Sequence, residues 1–352
     1  MSSAYGVLAV LAAFLLLIGS HEAGHFSVAK LFRMRVHEFS IGFGTKVASA
    51  VRGDTLYALR AIPLGGYVRL GGMEPGEYDL PGGFHSKPAI QRFLVLLAGP
   101  LANFICASIL VAIVLLPSSA AVAGTVLQVV PGSPAVAAGI QPGTVIVSAN
   151  GQPLSGDVGR LRAIESKTKG QPLQLVIKEP DGATRSVTIS PHYDQSQQAW
   201  IIGVVPAQFT PLEAIGTALA FPWLTIHDIG GGIGQLVTGQ VPGGLAGPNG
   251  VTGPIGISSA TYNAAQQGIE QYIQILALLS VALGLTNLLP LPALDGARIA
   301  VVLIEAIRRR PLNRQREMAV QRYGLVALMA LVVVISYLDV TRLVTHQFPG
   351  TH

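Results

Sequence analysis

The sequence predicts a polytopic α-helical membrane protein with four spanning helices, a small β region after the first helix, and a soluble α+β domain inserted before the third. Three observations predict it. Half of the 352 residues are hydrophobic and only 12% are charged, with a mean hydropathy of +0.52, a composition typical of membrane proteins. Four stretches are apolar and long enough to span, at about residues 5–32, 93–116, 273–291 and 323–338. Between the second and third, the apolar character gives way to short alternating segments separated by glycine and proline.

The first stretch is expected to be retained rather than cleaved as a signal peptide. No lysine or arginine precedes it, and Lys30, Arg33 and Arg35 follow it. Residues 36–72 alternate apolar and polar, with short strands expected at 36–41, 46–51, 55–62 and 67–70. Gly42-Phe43-Gly44, Gly65-Gly66 and Gly71-Gly72 mark tight turns or close backbone approach. Residues 73–88 read as loop. In the second span Pro100 should kink the helix, and Asn103 is a polar group that needs a partner.

Residues 124–206 have the composition of a soluble domain. Strands are expected at 125–130, 145–147, 173–178 and 186–189, a short helix at 135–138, and a hairpin at Asn150-Gly151. About 80 residues suffice for one small core. Residues 207–270 combine a possible amphipathic helix at 212–224 with a glycine-rich stretch, 230–256, whose composition also suits a linker. The third span is short and ends at Pro290 and Pro292, which cannot continue a helix. The carbonyls they free should line a wet cavity walled by protein. The plan is therefore 1–116 for the first two spans and the β region, 121–207 for the inserted domain, 208–270 for a following segment, and 271–352 for the last two spans.

Charge gives an orientation. Nine Lys/Arg lie between Lys30 and Arg92 and seven between Arg298 and Arg322, against six across the long stretch 117–270, which also has eight acids. The two basic connections are then cytoplasmic, and the inserted domain and both termini are outside. The net charge of +5 is accounted for by topology signals near lipid headgroups and calls for no nucleic-acid partner. Cys106 is the single cysteine; it can form no internal disulfide and leaves the redox compartment open.

The chemistry concentrates at His21-Glu22-Ala23-Gly24-His25, inside the first apolar stretch. On a helix the two histidines lie about 40° apart around the axis and about 6 Å along it. That spacing suits two ligands of one tetrahedral zinc, with Glu22 as general base. Ionisable residues at this depth are costly and mark function. A third ligand is still needed, and acids near membrane depth are few. Asp295 stands at the cytoplasmic end of the third span, where the first span's His21 and His25 also lie. Its alternative is a boundary acid paired with Arg298, just as the histidines could instead be hydrogen-bonded in a helix bundle. Asn287 could bind a substrate backbone or a developing oxyanion, or simply satisfy the broken helix. His37, His85, His192, His227, His346 and His352 lack paired spacing and read as surface or loop residues. Ser86-Lys87 makes no convincing dyad, and Arg308-Arg309-Arg310 reads as a topology signal.

Taken together, three motifs resemble those of the bacterial site-2 proteases, zinc intramembrane proteases of the type that cleaves anti-sigma factors. They are the membrane-embedded His-Glu-x-x-His, the run from Asn287 through Pro290 and Pro292 to Asp295-Gly296, and Gly99-Pro100-Leu101-Ala102-Asn103. Gly65-Gly66-Tyr67-Val68-Arg69-Leu70-Gly71-Gly72 resembles that family's membrane-associated β-hairpin, and Gly253-Pro254-Ile255-Gly256 also matches. Pro131-Gly132-Ser133-Pro134-Ala135 and Ala138-Gly139-Ile140-Gln141-Pro142-Gly143 make the inserted domain similar to a protease-associated PDZ domain, with no ligand specified. The resemblance implies Zn2+ on His21, His25 and Asp295, Glu22 as general base, and Asn287 and Pro290 in contact with substrate. It further implies that Tyr67, Val68, Arg69 and Leu70 hold an unwound substrate segment. Single-span membrane proteins already shortened outside, such as anti-sigma factors, are the implied substrates, with remnant signal peptides as a second class. Two features depart from the pattern: there is room for one PDZ-like domain where some relatives carry two, and Thr144 stands where aspartate is common. The rivals are another membrane zinc peptidase, such as one trimming prenylated proteins, and a catalytically silent PDZ-bearing scaffold.

Overall fold

The computed structural model describes residues 3–195, 197–241, 244, 247 and 250–345. It divides into two compact units, Met1–Leu110 with Phe221–His352, and Val111–Ala220. The first unit holds α1 (Ser3–Leu31), β1 (Val36–Arg52), β2 (Thr55–Leu70) and most of α2 (Ala89–Leu115). The second contains β3 (Val126–Val129), α3 (Pro134–Ala137), β4 (Val145–Ala149), β5 (Gln152–Pro153) and α4 (Val158–Thr168). It continues through β6 (Leu173–Lys178), β7 (Thr184–Ile189), β8 (His192–Asp194), β9 (Ala199–Ile201) and β10 (Val204–Pro206). The chain returns to the first unit along α5 (Pro211–Val237), then α6 (Pro254–Gln267), α7 (Ile269–Leu288), α8 (Asp295–Arg308) and α9 (Arg314–Val344).

Among the described residues four helices are long and apolar enough to cross a membrane: Ala4–Leu31, Ala89–Ser118, Ile269–Leu288 and Arg314–Val344. Two of them differ from the sequence expectation. The third runs over 269–288 rather than 273–291, because Pro290 and Pro292 exclude the last positions from a helix. The fourth begins nine residues earlier than expected, at Arg314, where the Asn313 side chain accepts the Arg316 N–H at 3.1 Å as an N-cap. Hydropathy finds the apolar middle of such a helix and misses its polar first turns.

The β region is two long strands that fold back into four shorter segments joined by three ladders. Residues 38–41 of β1 pair both with 66–69 and with 56–59 of β2, and 46–52 pair with 55–60. The four expected segments survive, paired by these ladders, with bends where Gly42 and Gly44 take φ of +89° and +82°. Segment 66–70 therefore has a ladder partner on one side only among the described residues. Leu70 and Val36 bury themselves with Ala29, Met34, Phe84, Val95, Leu96 and Val302, tying the strands to α1, α2 and α8.

A buried ion cluster fixes α2, α8 and α9 to one another. Glu305 receives Arg92 at 2.7 Å, Arg314 at 2.7 Å and the Leu312 N–H at 2.8 Å. Burial alone would raise this carboxyl, but the Leu312 amide and the two arginines hold it below the usual carboxylate range. A depressed pKa adds stability above the unfolded value that is lost as pH falls through the folded one. Glu305→Ala leaves Arg92 without its carboxylate, while Arg314 keeps Glu317 at 3.0 Å, and should cost about 3 kcal/mol, read as a lower unfolding temperature in detergent.

The residues between α5 and α7 also carry more structure than composition suggested. Thr210 and Glu213 form a reciprocal capping box, with Thr210 N to Glu213 Oε2 at 2.8 Å and Glu213 N to Thr210 Oγ1 at 3.3 Å. The helix they start runs to Val237, through Gly230-Gly231-Gly232, where a linker was open. Of the glycine-rich stretch, residues 242–243, 245–246 and 248–249 lie outside the described residues, as do His346 and His352. The Gly253-Pro254-Ile255-Gly256 run starts α6, and its Gly253 and Gly256 amides donate to the buried Asp339 carboxylate at 3.0 and 2.9 Å. Arg342 donates to the Val251 carbonyl at 2.7 Å beside it.

In the second unit β5-β4-β6-β7 form a four-stranded sheet, and β10-β3 and β8-β9 form two pairs. One core joins them, including Val126, Ile146, Leu161, Leu173, Leu175, Ile177 and Ile202. Asn150 and Gly151 both take positive φ, 48° and 74°, between β4 and β5, the geometry expected of an Asn-Gly hairpin. Thr144, in the position where aspartate was expected, is buried, and its hydroxyl accepts the Gln141 N–H at 3.4 Å, closing the turn with a weak bond. The sequence reading missed α4, whose apolar stripe is interrupted by charges; Asp157 caps it by accepting the Arg160 N–H at 3.0 Å.

Candidate metal centre

His21 and His25 are one turn apart on α1, and both are buried, at 7% and 8% exposure. Asp295 opens α8, immediately after the Pro290 and Pro292 break. Their donor atoms converge: His21 Nε2 and His25 Nε2 are 3.1 Å apart, and Asp295 Oδ2 is 3.0 Å from the first and 3.2 Å from the second. Donors of a tetrahedral zinc with bonds of about 2.0 Å stand about 3.3 Å apart, so the triangle has the right size. Two imidazole nitrogens and a carboxylate oxygen aimed at one point repel unless a proton or cation lies between them. Among the described residues this trio is the one cluster of His, Cys, Asp and Glu able to hold a metal ion. Asp295 does not pair with Arg298, whose Nη1 reaches Met73 Sδ at 3.6 Å instead.

The outer faces of both imidazoles are held in the tautomer that ligation through Nε2 requires. His25 Nδ1–H donates to the Val95 carbonyl at 2.8 Å. His21 Nδ1 lies 3.3 Å from the carboxamide of Asn103, a residue with no solvent exposure. The other end of that carboxamide is 3.1 Å from Ser20 Oγ, which also lies 3.0 Å from the Leu17 carbonyl. When Ser20 gives its one proton to Leu17 it accepts from the Asn103 amide nitrogen, and the carboxamide then turns its oxygen to His21 Nδ1–H. This is the partner the sequence demanded for Asn103, and the interaction leaves His21 Nε2 free to ligate. Asn103→Ala should weaken metal binding about 10–100-fold, measured by competition with a chelator.

Two glycines make the convergence possible. A Cβ on Gly99 would lie 2.3 Å from His25 Nε2 and 2.9 Å from His21 Cε1, so α2 can pass the site only without a side chain there. A Cβ on Gly296 would lie 2.2 Å from the Leu289 carbonyl oxygen, against which α8 begins. The Asp-Gly and Gly-Pro-x-x-Asn motifs are thus partly motifs of close approach.

Glu22 points from α1 towards β2. The Val68 backbone N–H donates to its carboxylate, and Gly66 lies alongside, where a Cβ would be 3.5 Å from Glu22 Cγ. The unpaired side of segment 66–70 thus borders the candidate base. Of the residues expected to hold substrate, Tyr67 stacks on Phe43 with ring centroids 6.2 Å apart, and Arg69 pairs with Glu74 at 3.1 Å. Leu70 is buried in the core, which leaves its backbone rather than its side chain for any such contact. Asn287 Nδ2 donates to the Leu283 carbonyl at 3.1 Å, one turn back in its own helix, and Pro290 is exposed. Among the described residues neither of these two hydrogen-bonds to the converging trio. The Val95 carbonyl and Val68 amide are backbone groups with no sequence signal; Asn103 was visible as an orphan polar residue, and Ser20 carried no signal beyond its position beside His21.

The sequence profile of "Peptidase family M50" matches residues 9–331, most of the chain. The chain belongs to peptidase family M50. Relatives include the zinc metalloprotease RasP of Geobacillus kaustophilus, 30% identical over 93% of this chain and 95% of its own length. The metalloprotease MmpA of Caulobacter vibrioides is 30% identical over 94% of each chain. The regulator of sigma-W protease RasP of Bacillus subtilis is 26% identical over 94% of this chain and 98% of its own. The M50 match covers both halves of the candidate centre, α1 and the start of α8, and so includes all three converging side chains.

Proposed function

We propose that this M50 peptidase is a zinc metalloendopeptidase that cleaves transmembrane segments of single-span membrane proteins, with His21, His25 and Asp295 as zinc ligands and Glu22 as general base. The convergence of three donor atoms within 3.2 Å of one another beside a half-buried glutamate carries this reading. Bound there, zinc supplies Lewis acidity to the scissile carbonyl and lowers the pKa of a water. The chain's own groups do the rest. Glu22, oriented by the Val68 amide, takes the water proton and delivers it to the leaving amine. Asn103 and the Val95 carbonyl keep both imidazoles aligned.

A transmembrane helix hides its peptide bonds in its own hydrogen bonds, so cleavage needs an extended segment. The free side of Gly66–Leu70 supports strand addition there, next to Glu22. Asn287 and Pro290 would act at the mouth of the site, where the proline break exposes backbone carbonyls. We further propose that residues 121–207 are an extracytoplasmic PDZ domain, that 208–270 follow it on the same side, and that both termini are outside. The charge asymmetry supports that orientation. Anti-sigma factors shortened by a prior cut are the favoured substrates, in keeping with the name of the Bacillus subtilis relative, regulator of sigma-W protease; remnant signal peptides are a second class.

Reconstitution of the chain with zinc and a single-span model substrate tests the proposal. Cleavage inside the span is expected, and an intact substrate with a zinc-loaded chain would favour the silent scaffold instead.

A further inference from the structure

Two adjoining cavities open beside α8 and α9 at the basic end of the first unit. The more enclosed one, about 20 Å³, is bordered by His85, Arg92, Arg298 and Arg314, with Glu317 as its acid. The wider one is a cleft of about 1120 Å³ between the 75–78 loop, Ala293 and α9. They share Tyr78, Arg298, Met318 and Gln321 and so form one recess. Its charge is one-sided. Glu317 is taken by Arg314 at 3.0 Å, and among the described residues no acid lines the wider cleft. The nearby loop acids Glu74 and Glu77 turn to Arg69 at 3.1 and 3.6 Å. Arg298 and Arg322 line the cleft with no carboxylate partner among the described residues; Arg298 has the Met73 sulfur at 3.6 Å. Deeper in, Arg92 Nε and His85 Nδ1 are buried without a hydrogen-bond partner among the described residues. Burial, then Arg314, Arg92 and Arg298, lower His85 to about 4 against the pull of Glu305. The ring is therefore neutral at pH 7, and its shift registers the positive field of the recess.

Along α9 the recess changes from polar to apolar. Gln315, Met318, Arg322 and Val326 are three or four residues apart and border the cleft as one stripe about 16 Å long. Beyond Arg322, Tyr323, Leu325 and Val326 are exposed where α9 enters its membrane-spanning part. An arginine beside a tyrosine and followed by exposed aliphatic side chains matches the boundary between lipid headgroups and acyl chains. We infer that this recess is a site for one anionic phospholipid, with Arg298 and Arg322 holding the headgroup phosphate and Leu325 and Val326 carrying the start of an acyl chain. A basic pocket between membrane helices suits an anionic headgroup, and each guanidinium offers a fork of donors to a phosphate ester. The apolar half of the stripe favours lipid over a soluble anion, which would cover none of it. The inference rests on α9 spanning the membrane and is independent of the proposed peptidase chemistry.

The test is native mass spectrometry on the full chain, stripped of lipid in a non-ionic detergent, with phosphatidylglycerol and with phosphatidylcholine of the same acyl chains. Phosphatidylglycerol should bind about 30-fold more tightly, the preference expected from two arginines at a membrane surface. Arg298→Gln/Arg322→Gln should abolish that preference. Arg322→Gln alone, at an exposed position that the fold does not depend on, should reduce it to about 5-fold. Arg308→Gln/Arg309→Gln, outside the recess, should leave it unchanged. Equal binding of the two lipids overturns the site, and so does a preference that survives Arg298→Gln/Arg322→Gln or disappears in Arg308→Gln/Arg309→Gln. Displacement of phosphatidylglycerol by excess inorganic phosphate or tetraglutamate also overturns it, by assigning the recess to a soluble anion or an acidic peptide.

Discussion

Glu22→Gln is expected to lower cleavage of a single-span substrate at least 10²–10⁴-fold, the usual contribution of a positioned general base, while the chain keeps its zinc. The carboxamide has nearly the same shape and can still accept the Val68 N–H, so α1 and β2 should stay as they are. It cannot take a proton from water. The measurement is product formation per zinc in reconstituted vesicles, with zinc content read on the same sample. A variant that loses zinc along with activity would mean that Glu22 holds the site together rather than moving a proton.

Asp295→Ala is expected to remove both zinc and activity. His21 and His25 would be left as two imidazoles 3.1 Å apart, and two ligands do not retain a catalytic zinc against a chelator. The loss should exceed the 10–100-fold expected for Asn103→Ala, because the change removes a ligand instead of its support. Activity that survives with a full complement of zinc would show that another group closes the coordination sphere.

Much of the candidate site could be read from the sequence because membrane depth makes polar residues rare. His21, Glu22, His25, Asn103 and Asp295 stand out against apolar neighbours, and each finds its partner within the same few ångströms. The proline break before Asp295 was legible for the same reason. What the sequence could not supply was backbone: the Val95 carbonyl on His25, the Val68 amide on Glu22 and the bend that folds two strands into four paired segments. Helix ends were also hidden. Asn313 and Asp157 cap helices whose first turns are polar, and hydropathy passes over such turns. Thr144 shows the opposite case, where a departure at one residue was absorbed by a hydroxyl bond to Gln141. Asn287 used its amide within its own helix, an arrangement a motif cannot distinguish from contact with substrate.

Zinc-edge X-ray absorption on the purified chain examines the proposed centre itself. One zinc per chain with a first shell of nitrogen and oxygen alone, two of its scatterers imidazole, is predicted, and the signal should vanish in Asp295→Ala. A shell containing sulfur, or one unchanged by that substitution, would contradict the centre proposed here.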